Sequence, residues 1–476
     1  MAEDLRICVT GLSRAGKTAF ITALADALRH AQRAPQNFPA WPAVAEGRWR
    51  GAKVRPPGGA LSALEAFPFE ANRRALTATP PAWPQGTEAV RALTLECSVV
   101  PQPGVLGDAW RWTSRQLGRP VGEAAAQLTI TLVDYPGEWA LDLPLREMDF
   151  AAWSAATLAR IAQPPRAAIA GPFTEALAAL DPFAPHDERL ARRAQRAFLA
   201  LLERCRDELR LSFLQPGLFL RPEKIGGREA LLANDAFLFT PLRLPPGATA
   251  RDAPRGSNWH AFAGRFDAYR RDQVEAFFAS LRGPGETRQV VLFDLLSALA
   301  AGPAAYEDAR EALGAIAGAM RPRLGLLARL FGGSLRVLHA ATKADLLPAP
   351  HRERLRRHVE AIVAELGAPD RQVSETIALA AIAATRSGTD AQGRPVVSGT
   401  LRDPATGEVQ EGRSFRFPPP PAGMPTEADW EAWAAAGVIG FRLPEFIPDP
   451  RDLKGRPDMP HLNLDAAIAW LLHGHA

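Results

Sequence analysis

Cysteine is scarce in this chain of 476 residues, which contains only three, at Cys8, Cys97 and Cys205. They form neither a CxxC pair nor a cysteine–histidine cluster, which excludes the common zinc sites and a disulfide framework. Cys8 lies within a short apolar run, where we expect a small buried side chain rather than a reactive thiol.

Long uncharged apolar runs are also lacking. No segment reaches the roughly 20 residues of a membrane-spanning helix, and the N-terminal "MAEDLRICVTG" has no basic region followed by an apolar one. The net charge of +4 is too small for this length to indicate nucleic-acid binding. We therefore predict a cytoplasmic protein whose mildly basic balance tolerates peripheral contact with an anionic membrane surface, such as the inner membrane, without requiring it.

Lysine is also scarce, since only five of the 56 Lys and Arg residues are lysine. Where a cation need only be solvated, this chain uses arginine. The sites that keep lysine are therefore candidates for needing a compact ammonium group instead of a planar guanidinium. The five are Lys17, Lys53, Lys224, Lys343 and Lys454.

Lys17 lies in "GLSRAGKT", residues 11–18, which fits the phosphate-loop pattern G-x-x-x-x-G-K-[ST]. The apolar run "LRICVT" precedes it and the helix-like "KTAFITALADALRH" follows, so its backbone N–H groups and a helix N-terminus would face phosphate oxygens. Lys17 is expected to reach the β- and γ-phosphates and act in catalysis, and the Thr18 hydroxyl to bind Mg²⁺. The expected phosphate-binding residues are Gly11, Ser13, Arg14, Ala15, Gly16, Lys17, Thr18 and Ala19.

A second motif, "LTITLVDYPGEW", places Asp134 at the end of an apolar run with Gly137 three residues later. Asp134 is expected to hold Mg²⁺ and the Gly137 N–H to approach the γ-phosphate, as in the D-x-x-G of GTPases. An ordinary turn is the alternative. Glu138 occupies the place of the water-orienting glutamine of Ras-like GTPases, and it is either a catalytic group or a surface residue.

The third motif, "RVLHAATKADLL", holds Thr342, Lys343 and Asp345 in the [NT]-K-x-D pattern that reads guanine. Asp345 would accept hydrogen bonds from the guanine N1–H and amino group, and the Lys343 stem would lie along the base. The later run "IALAAIAAT" would bring backbone N–H groups to the guanine O6, with Ala381 and Ile382 as candidates. Two of the five lysines thus stand where a GTPase needs lysine.

Strand-like and helix-like runs alternate along the chain, which predicts an α/β fold. We expect a P-loop GTPase-type, mostly parallel sheet with helices on both faces, plus a large inserted all-α domain. The predicted parts are a first GTPase segment (1–150), a helical insertion (151–285), a second GTPase segment (286–385), an irregular or β-hairpin insertion (386–455) and a closing helix (456–476).

Two other segments and one pair of residues carry weaker signals. The Pro- and Trp-rich residues 31–90 suggest irregular surface structure with short helices. Residues 321–333, "RPRLGLLARLFGG", could touch a membrane or partner, but a core-facing helix end is the favoured interpretation. His461 and Asp465 could share a helix face, where capping and packing are favoured over metal binding.

Over its whole length the chain resembles the YcjX-like family of bacterial P-loop NTPases. The resemblance rests on "GLSRAGKTAFITAL", "DYPGEWALDLPL", "VLFDLLSAL", "AATKADLL" and "PHLNLDAAIAWLL". It implies a GTPase domain interrupted by a helical domain, with Asp134 and Gly137 in the second switch. It also implies a stress-response role and a membrane-protein neighbour. The alanine-rich "IALAAIAAT" departs from the family pattern.

These observations predict a regulatory protein that binds GTP and GDP with Mg²⁺ and hydrolyses GTP slowly. An ATPase is one alternative. Another is a nucleotide-gated adaptor with negligible turnover that acts through its helical insertion.

Overall fold

The computed structural model describes residues 3–12, 14–58, 61–62, 64–84, 86, 90–101, 125–276, 286–320, 335–366, 372–403, 406–448 and 459–475. The chain forms two compact units. The first contains Met1–Tyr135, Gly283–Ala300 and Pro322–Ala476, and the second contains Pro136–Arg282 and Ala301–Arg321. The five-part division made from the sequence stays a prediction.

The first unit is built on an eight-stranded sheet. Its strands are β1 Glu3–Gly11, β2 Trp49–Arg55, β3 Glu65–Ala66, β4 Arg91–Val99, β5 Ala126–Asp134, β6 Glu286–Phe293, β7 Leu335–Ala341 and β8 Gln372–Ala378. The order across the sheet is β2-β4-β5-β1-β6-β7-β8, with β3 beside β4. From β5 to β8 every neighbouring pair is parallel, whereas β2 and β5 run antiparallel to β4.

A mixed α/β fold with a mostly parallel central sheet is therefore confirmed. The middle strands consist of apolar runs because both of their faces are covered. Ile7, Val9, Val290, Leu292 and Leu338 are almost fully buried. They share one core cluster with apolar residues of the helices Lys17–His30 and Leu464–Leu471.

A smaller four-stranded sheet also belongs to the first unit. It contains β9 Thr385–Thr389, β10 Pro395–Arg402, β11 Val409–Phe415 and β12 Phe446–Ile447. Strands β10 and β11 pair antiparallel, within the segment 386–455 for which the sequence predicts an irregular or β-hairpin insertion.

The helices of the first unit are α1 Lys17–His30, α2 Pro42–Ala45, α3 Phe69–Thr77, Leu295–Ala301, Ala349–Leu366, Glu427–Ala435 and Leu464–Leu471. Those of the second unit are Gly137–Ala140, Phe150–Ile161, Gly171–Ala178, Glu188–Asp207, Gly217–Leu220, Arg228–Ala233, Asn258–Tyr269 and Pro303–Met320, with a π-helical turn at Arg270–Glu275. The elements of regular secondary structure in the second unit's described residues are helices, and an isolated antiparallel β-bridge joins Pro185 to Ser257. The inserted all-α domain stays a prediction.

The prediction of irregular surface structure for residues 31–90 is wrong in part. The segment contains strand β2, and the Trp41 and Trp49 rings pack 4.8 Å apart in the core. The Trp49 indole N–H donates to the carbonyl of Leu28 at 2.8 Å. Proline-rich sequence here separates short elements, some of which contribute buried side chains such as Trp41 and Trp49 to the core.

Candidate nucleotide site

The motifs singled out in the sequence lie at the carboxyl ends of five adjacent parallel strands. Asp134 ends β5, Gly11 ends β1, and "TKAD" follows β7. After β1, the chain first forms β2, β4 and β5 on one side of β1 in the sheet. It then crosses to the other side of β1, where β6 lies. The crevice between β1 and β6 is thus a topological switch point, where open α/β sheets bind their ligands.

The two glycines of the phosphate loop are needed for different reasons. Gly11 has a φ of +148° and lies opposite Leu292, so a Cβ atom there would be 2.6 Å from the Leu292 carbonyl oxygen. Gly16 has a φ of +90° and precedes α1, but a Cβ atom there would meet no atom within 4 Å. Gly11 therefore answers both a steric and a conformational need, and Gly16 a conformational need alone.

The rest of the loop curls between these glycines. Exposed Arg14 adopts a left-handed conformation with a φ of +62°, and the N–H of buried Ala15 donates to the Leu12 carbonyl at 3.2 Å. Thr18 and Ala19, both half-buried, lie in the first turn of α1. Ser13 lies outside the described residues.

Lys17 bends back over this loop. Its side chain is buried, and its Nζ donates to the carbonyls of Gly11 at 3.1 Å and Leu12 at 3.0 Å. These contacts fix the ammonium above the curled backbone, where α1 begins. The arrangement suits a phosphate group that approaches the N-terminus of that helix.

Asp134 is fully buried at the end of β5, opposite Val9 of β1. The Thr18 hydroxyl and the Asp134 carboxylate supply hard oxygen donors, which are the ligands that Mg²⁺ takes in proteins. The donor chemistry of these two residues therefore fits Mg²⁺. Tyr135, the next residue, is also fully buried, and burial raises the pKa of its hydroxyl.

Gly137 and Glu138 belong to the second unit, where Gly137 opens the helix Gly137–Ala140. Glu138 is only 7% exposed, so its interpretation as a surface residue is wrong. Its Oε1 accepts a hydrogen bond from Arg221 Nε at 3.1 Å. The role of Glu138 in hydrolysis stays a prediction.

The segment after Glu138 is fixed within the second unit by Asp142. Its two carboxylate oxygens accept the Gly217 N–H at 2.9 and 2.8 Å, and the Tyr269 hydroxyl donates to Oδ2. Burial raises the pKa of Asp142 to about 7, although these hydrogen bonds oppose the shift. Gly217 packs so tightly that a Cβ atom there would lie 2.0 Å from the Glu138 carbonyl oxygen.

The predicted base-recognition residues are brought together after β7. Thr342 is buried, and its N–H and hydroxyl donate to the Phe293 carbonyl at 2.9 and 3.2 Å. The Asp345 carboxylate is also buried and accepts the Ala384 N–H at 2.9 Å, while the Thr385 hydroxyl donates to the Asp345 carbonyl. Burial raises the pKa of Asp345, and the Ala384 N–H opposes that shift.

Ala381 and Ile382 lie in a bend after β8. On either side, the N–H groups of Leu379, Ala380, Ala383 and Ala384 donate to other parts of the first unit. Among the described residues, no backbone carbonyl is recorded as accepting the N–H groups of Ala381 or Ile382. Their role in binding the base stays a prediction.

Three contacts of the candidate residues escaped the sequence analysis. Asp294 binds the Lys343 ammonium, Ala384 binds Asp345, and Arg221 binds Glu138. Asp294 lies in "VLFDLL", one of the stretches that carry the family resemblance, and this stretch could have identified it as a candidate residue.

His461 packs against an aromatic ring, and Asp465 accepts a backbone hydrogen bond. The His461 ring lies 5.0 Å from that of Phe38, and Asp465 accepts the Ala40 N–H at 2.8 Å. The described residues hold no group of three His, Cys, Asp or Glu side chains suited to a metal ion. Residues 321–333 lie outside the described residues, so their role stays a prediction. No described helix is long and apolar enough to cross a membrane.

Comparison with known proteins agrees with the resemblance drawn from the motifs. The chain matches the YcjX-like family, DUF463, over residues 5–475. It is 30% identical over 481 residues to the Ras-like GTPase YcjX of Escherichia coli (strain K12), covering 99% of this chain and 95% of that protein. The protein of the same name from Shewanella oneidensis is 31% identical over 407 residues, covering 81% and 78%. The chain therefore belongs to the YcjX-like family.

Proposed function

We propose that this protein binds GTP and GDP together with Mg²⁺ and hydrolyses GTP slowly to GDP and phosphate, as a regulatory GTPase. The observation that carries the proposal is the alignment of the phosphate loop, Asp134 and the TKAD motif along one edge of the sheet, at the ends of neighbouring strands. Two relatives bear the name Ras-like GTPase, which supports the same function.

The proposed chemistry relies on positioning and charge neutralisation. The Lys17 ammonium and the loop N–H groups would hold the β- and γ-phosphates, and Arg14 would add positive charge from the loop. Thr18 and Asp134 would hold Mg²⁺, which when bound neutralises charge on the phosphate oxygens. The Asp345 carboxylate and the N–H groups of Ala381 and Ile382 would bind the guanine edge.

Glu138 would orient the attacking water or accept its proton, and Arg221 would hold the carboxylate in place through their 3.1 Å hydrogen bond. Glu138→Ala is expected to lower GTP turnover by about 100-fold. Glu138→Gln separates the two roles, because an amide can orient water but cannot accept its proton. Arg221→Ala should lower turnover without weakening GDP binding, whereas Arg228→Ala, which breaks an exposed pair with Glu203, should change neither.

The decisive experiment for the activity is phosphate release from GTP and ATP with Mg²⁺, on wild type and Lys17→Ala. Release from GTP that is lost in Lys17→Ala supports the proposal. Equal release from ATP would favour the ATPase alternative. Tight GTP binding with no release above the Lys17→Ala background would favour the nucleotide-gated adaptor.

The family resemblance implies a role in a bacterial stress response and a membrane-protein partner, and we include both in the proposal. A strain whose chromosomal copy carries Lys17→Ala tests the first part. It should grow like the deletion strain under the stress that affects the deletion strain. Growth like wild type would argue against a nucleotide-dependent role. For the partner, pull-downs from solubilised membranes with GTP-bound and GDP-bound protein should differ in what they recover.

A further inference from the structure

Asp294, the first residue after β6, accepts hydrogen bonds from the first turn of a helix and from Lys343, the lysine predicted to contact the base. Its Oδ1 accepts the Ser297 N–H at 3.2 Å, and its Oδ2 accepts the Lys343 ammonium at 2.5 Å. The Lys343 Nζ also lies 3.4 Å from the Ser297 hydroxyl. The motif interpretation assigns no role to Asp294, yet its carboxylate is the nearest charged partner of Lys343.

The first contact fixes the carboxylate. Asp294 precedes the helix Leu295–Ala301, and the Ser297 N–H that it accepts is the third of that helix, which is the geometry of an N-cap. Its side chain is only 8% exposed. The second oxygen of the carboxylate therefore has a defined position before any ligand binds.

The second contact fixes the lysine. Lys343 adopts a left-handed backbone conformation with a φ of +58°, so its side chain leaves the chain in an unusual direction. A free lysine side chain would lose much rotamer freedom on packing against a ligand. Because the ammonium is bound to Asp294, the Lys343 side chain is ordered before a ligand arrives. Its methylene stem then offers a surface for a planar ring.

We propose that Asp294 is a positioning residue for base recognition, which orders the Lys343 side chain for contact with the guanine ring. The inference deepens the proposed function and rests on it. Asp294 would act through Lys343 alone, so its effect should fall on nucleotide affinity and not on the rate of phosphate release at saturating GTP.

The test uses two substitutions of the same residue. Asn is as good an N-cap as Asp, so Asp294→Asn keeps the helix start and removes the charge pair. It should weaken GDP binding about tenfold, or about 1.4 kcal/mol, with an unchanged unfolding temperature. Asp294→Ala removes the cap as well and should lower the unfolding temperature. Asp149→Asn, at the cap of the helix Phe150–Ile161, is the matched control and should leave GDP affinity unchanged.

A double-mutant comparison separates positioning from general structural damage. In a Lys343→Met background, Asp294→Asn should change GDP affinity less than twofold, because its partner is gone. Wild-type GDP affinity in the single Asp294→Asn variant, or the same tenfold loss in both backgrounds, would overturn the inference while the proposed function stands. Failure of the wild type to bind GDP would overturn the proposed function, and the inference with it.

Discussion

Lys17 and Lys343 lie in the same unit, but their ammonium groups have different hydrogen-bond partners. The Lys17 ammonium is 3.0–3.1 Å from two backbone carbonyl oxygens of its own loop. The Lys343 ammonium pairs with the Asp294 carboxylate, and its side chain is 33% exposed. These two contacts of Lys17 are to neutral groups that are local in sequence, whereas the Asp294 partner of Lys343 is charged and lies 49 residues away.

The difference separates two uses of lysine. Carbonyl dipoles orient an ammonium without cancelling its charge, which suits the role that we propose for Lys17 at phosphate oxygens. A carboxylate compensates the charge of Lys343, which leaves the apolar stem as its main contribution to a ligand. We therefore expect the phosphate end of the site to depend on charge and the base end on shape and hydrogen bonding.

The largest effect is expected at the phosphate end. Lys17→Ala should weaken GDP binding by about 100-fold or more, because losing one partner of a buried charge pair costs a few kcal/mol. Lys17→Arg should not restore binding, since a planar guanidinium does not fit where a compact ammonium sits over the loop. Fluorescent GDP titration measures both, and affinity within threefold of wild type in either variant would contradict the interpretation.

The two loop glycines should differ next. Gly11→Ala forces a Cβ atom to within 2.6 Å of the Leu292 carbonyl oxygen, and the overpacking should cost about 1–3 kcal/mol of unfolding free energy. Gly16→Ala has space and should cost about 1 kcal/mol through its left-handed backbone alone. Urea denaturation compares them, and an equal or reversed order would refute the steric argument.

At the base end, Asp345→Asn should weaken GTP binding by about tenfold and leave ATP binding unchanged, because only guanine offers the donors that the carboxylate accepts. Asn retains an oxygen for the Ala384 N–H, so the fold should survive. Competition titrations with both nucleotides measure the change. Equal weakening of GTP and ATP would indicate a general loss of structure.

The pH dependence should also distinguish the two ends. Burial raises the pKa of Asp345 above its ordinary 3.8, so GDP affinity should fall as the pH is lowered and the carboxyl gains a proton. For folding without nucleotide the sign is opposite, since the stabilisation from the protonated group is lost as pH rises through the raised pKa. GDP affinities measured between about pH 5 and about pH 8, in wild type and Asp345→Asn, test this pH dependence. An identical pH profile in both proteins would exclude Asp345 as the group that titrates.

The smallest effect is expected for Lys343→Arg. A guanidinium can keep the pair with Asp294 and still present an apolar stem, so GDP affinity should stay within about threefold of wild type. Together with the loss of GDP affinity in Lys17→Arg, this result would show that the two lysines contribute to binding in different ways. An equal loss of GDP affinity in both arginine variants would contradict that difference.

The strand–loop–helix order around the predicted phosphate loop is present in the structure, and it could be predicted because its determinants are contiguous. A strand, two glycines, a lysine and a helix follow one another within about 30 residues, and each contributes by its own local geometry. The β10–β11 hairpin is local in the same way, and the mixed α/β class follows from strand-like and helix-like runs that alternate along the chain. Strand β2 was missed because its flanking Pro- and Trp-rich sequence resembles a loop, although Trp41 and Trp49 are core residues.

The partners of the candidate residues could not be predicted, because they come from distant positions. Asp294 and Lys343 are 49 residues apart, and Arg221 and Glu138 are 83 residues apart. Pattern and propensity carry no information on such pairs, which depend on strand order and on the packing of loops. For the same reason Ala384, which fixes Asp345, was not among the base-site candidates.

We propose that one edge of this sheet binds guanine nucleotides through two lysines that are held in different ways. Competition between GDP and ADP for the wild-type protein in the presence of Mg²⁺ is the sharpest test of this proposal. A site built to hydrogen-bond the base should prefer GDP by at least about 100-fold. Equal affinity for GDP and ADP would contradict the claim and leave only a phosphate-binding loop.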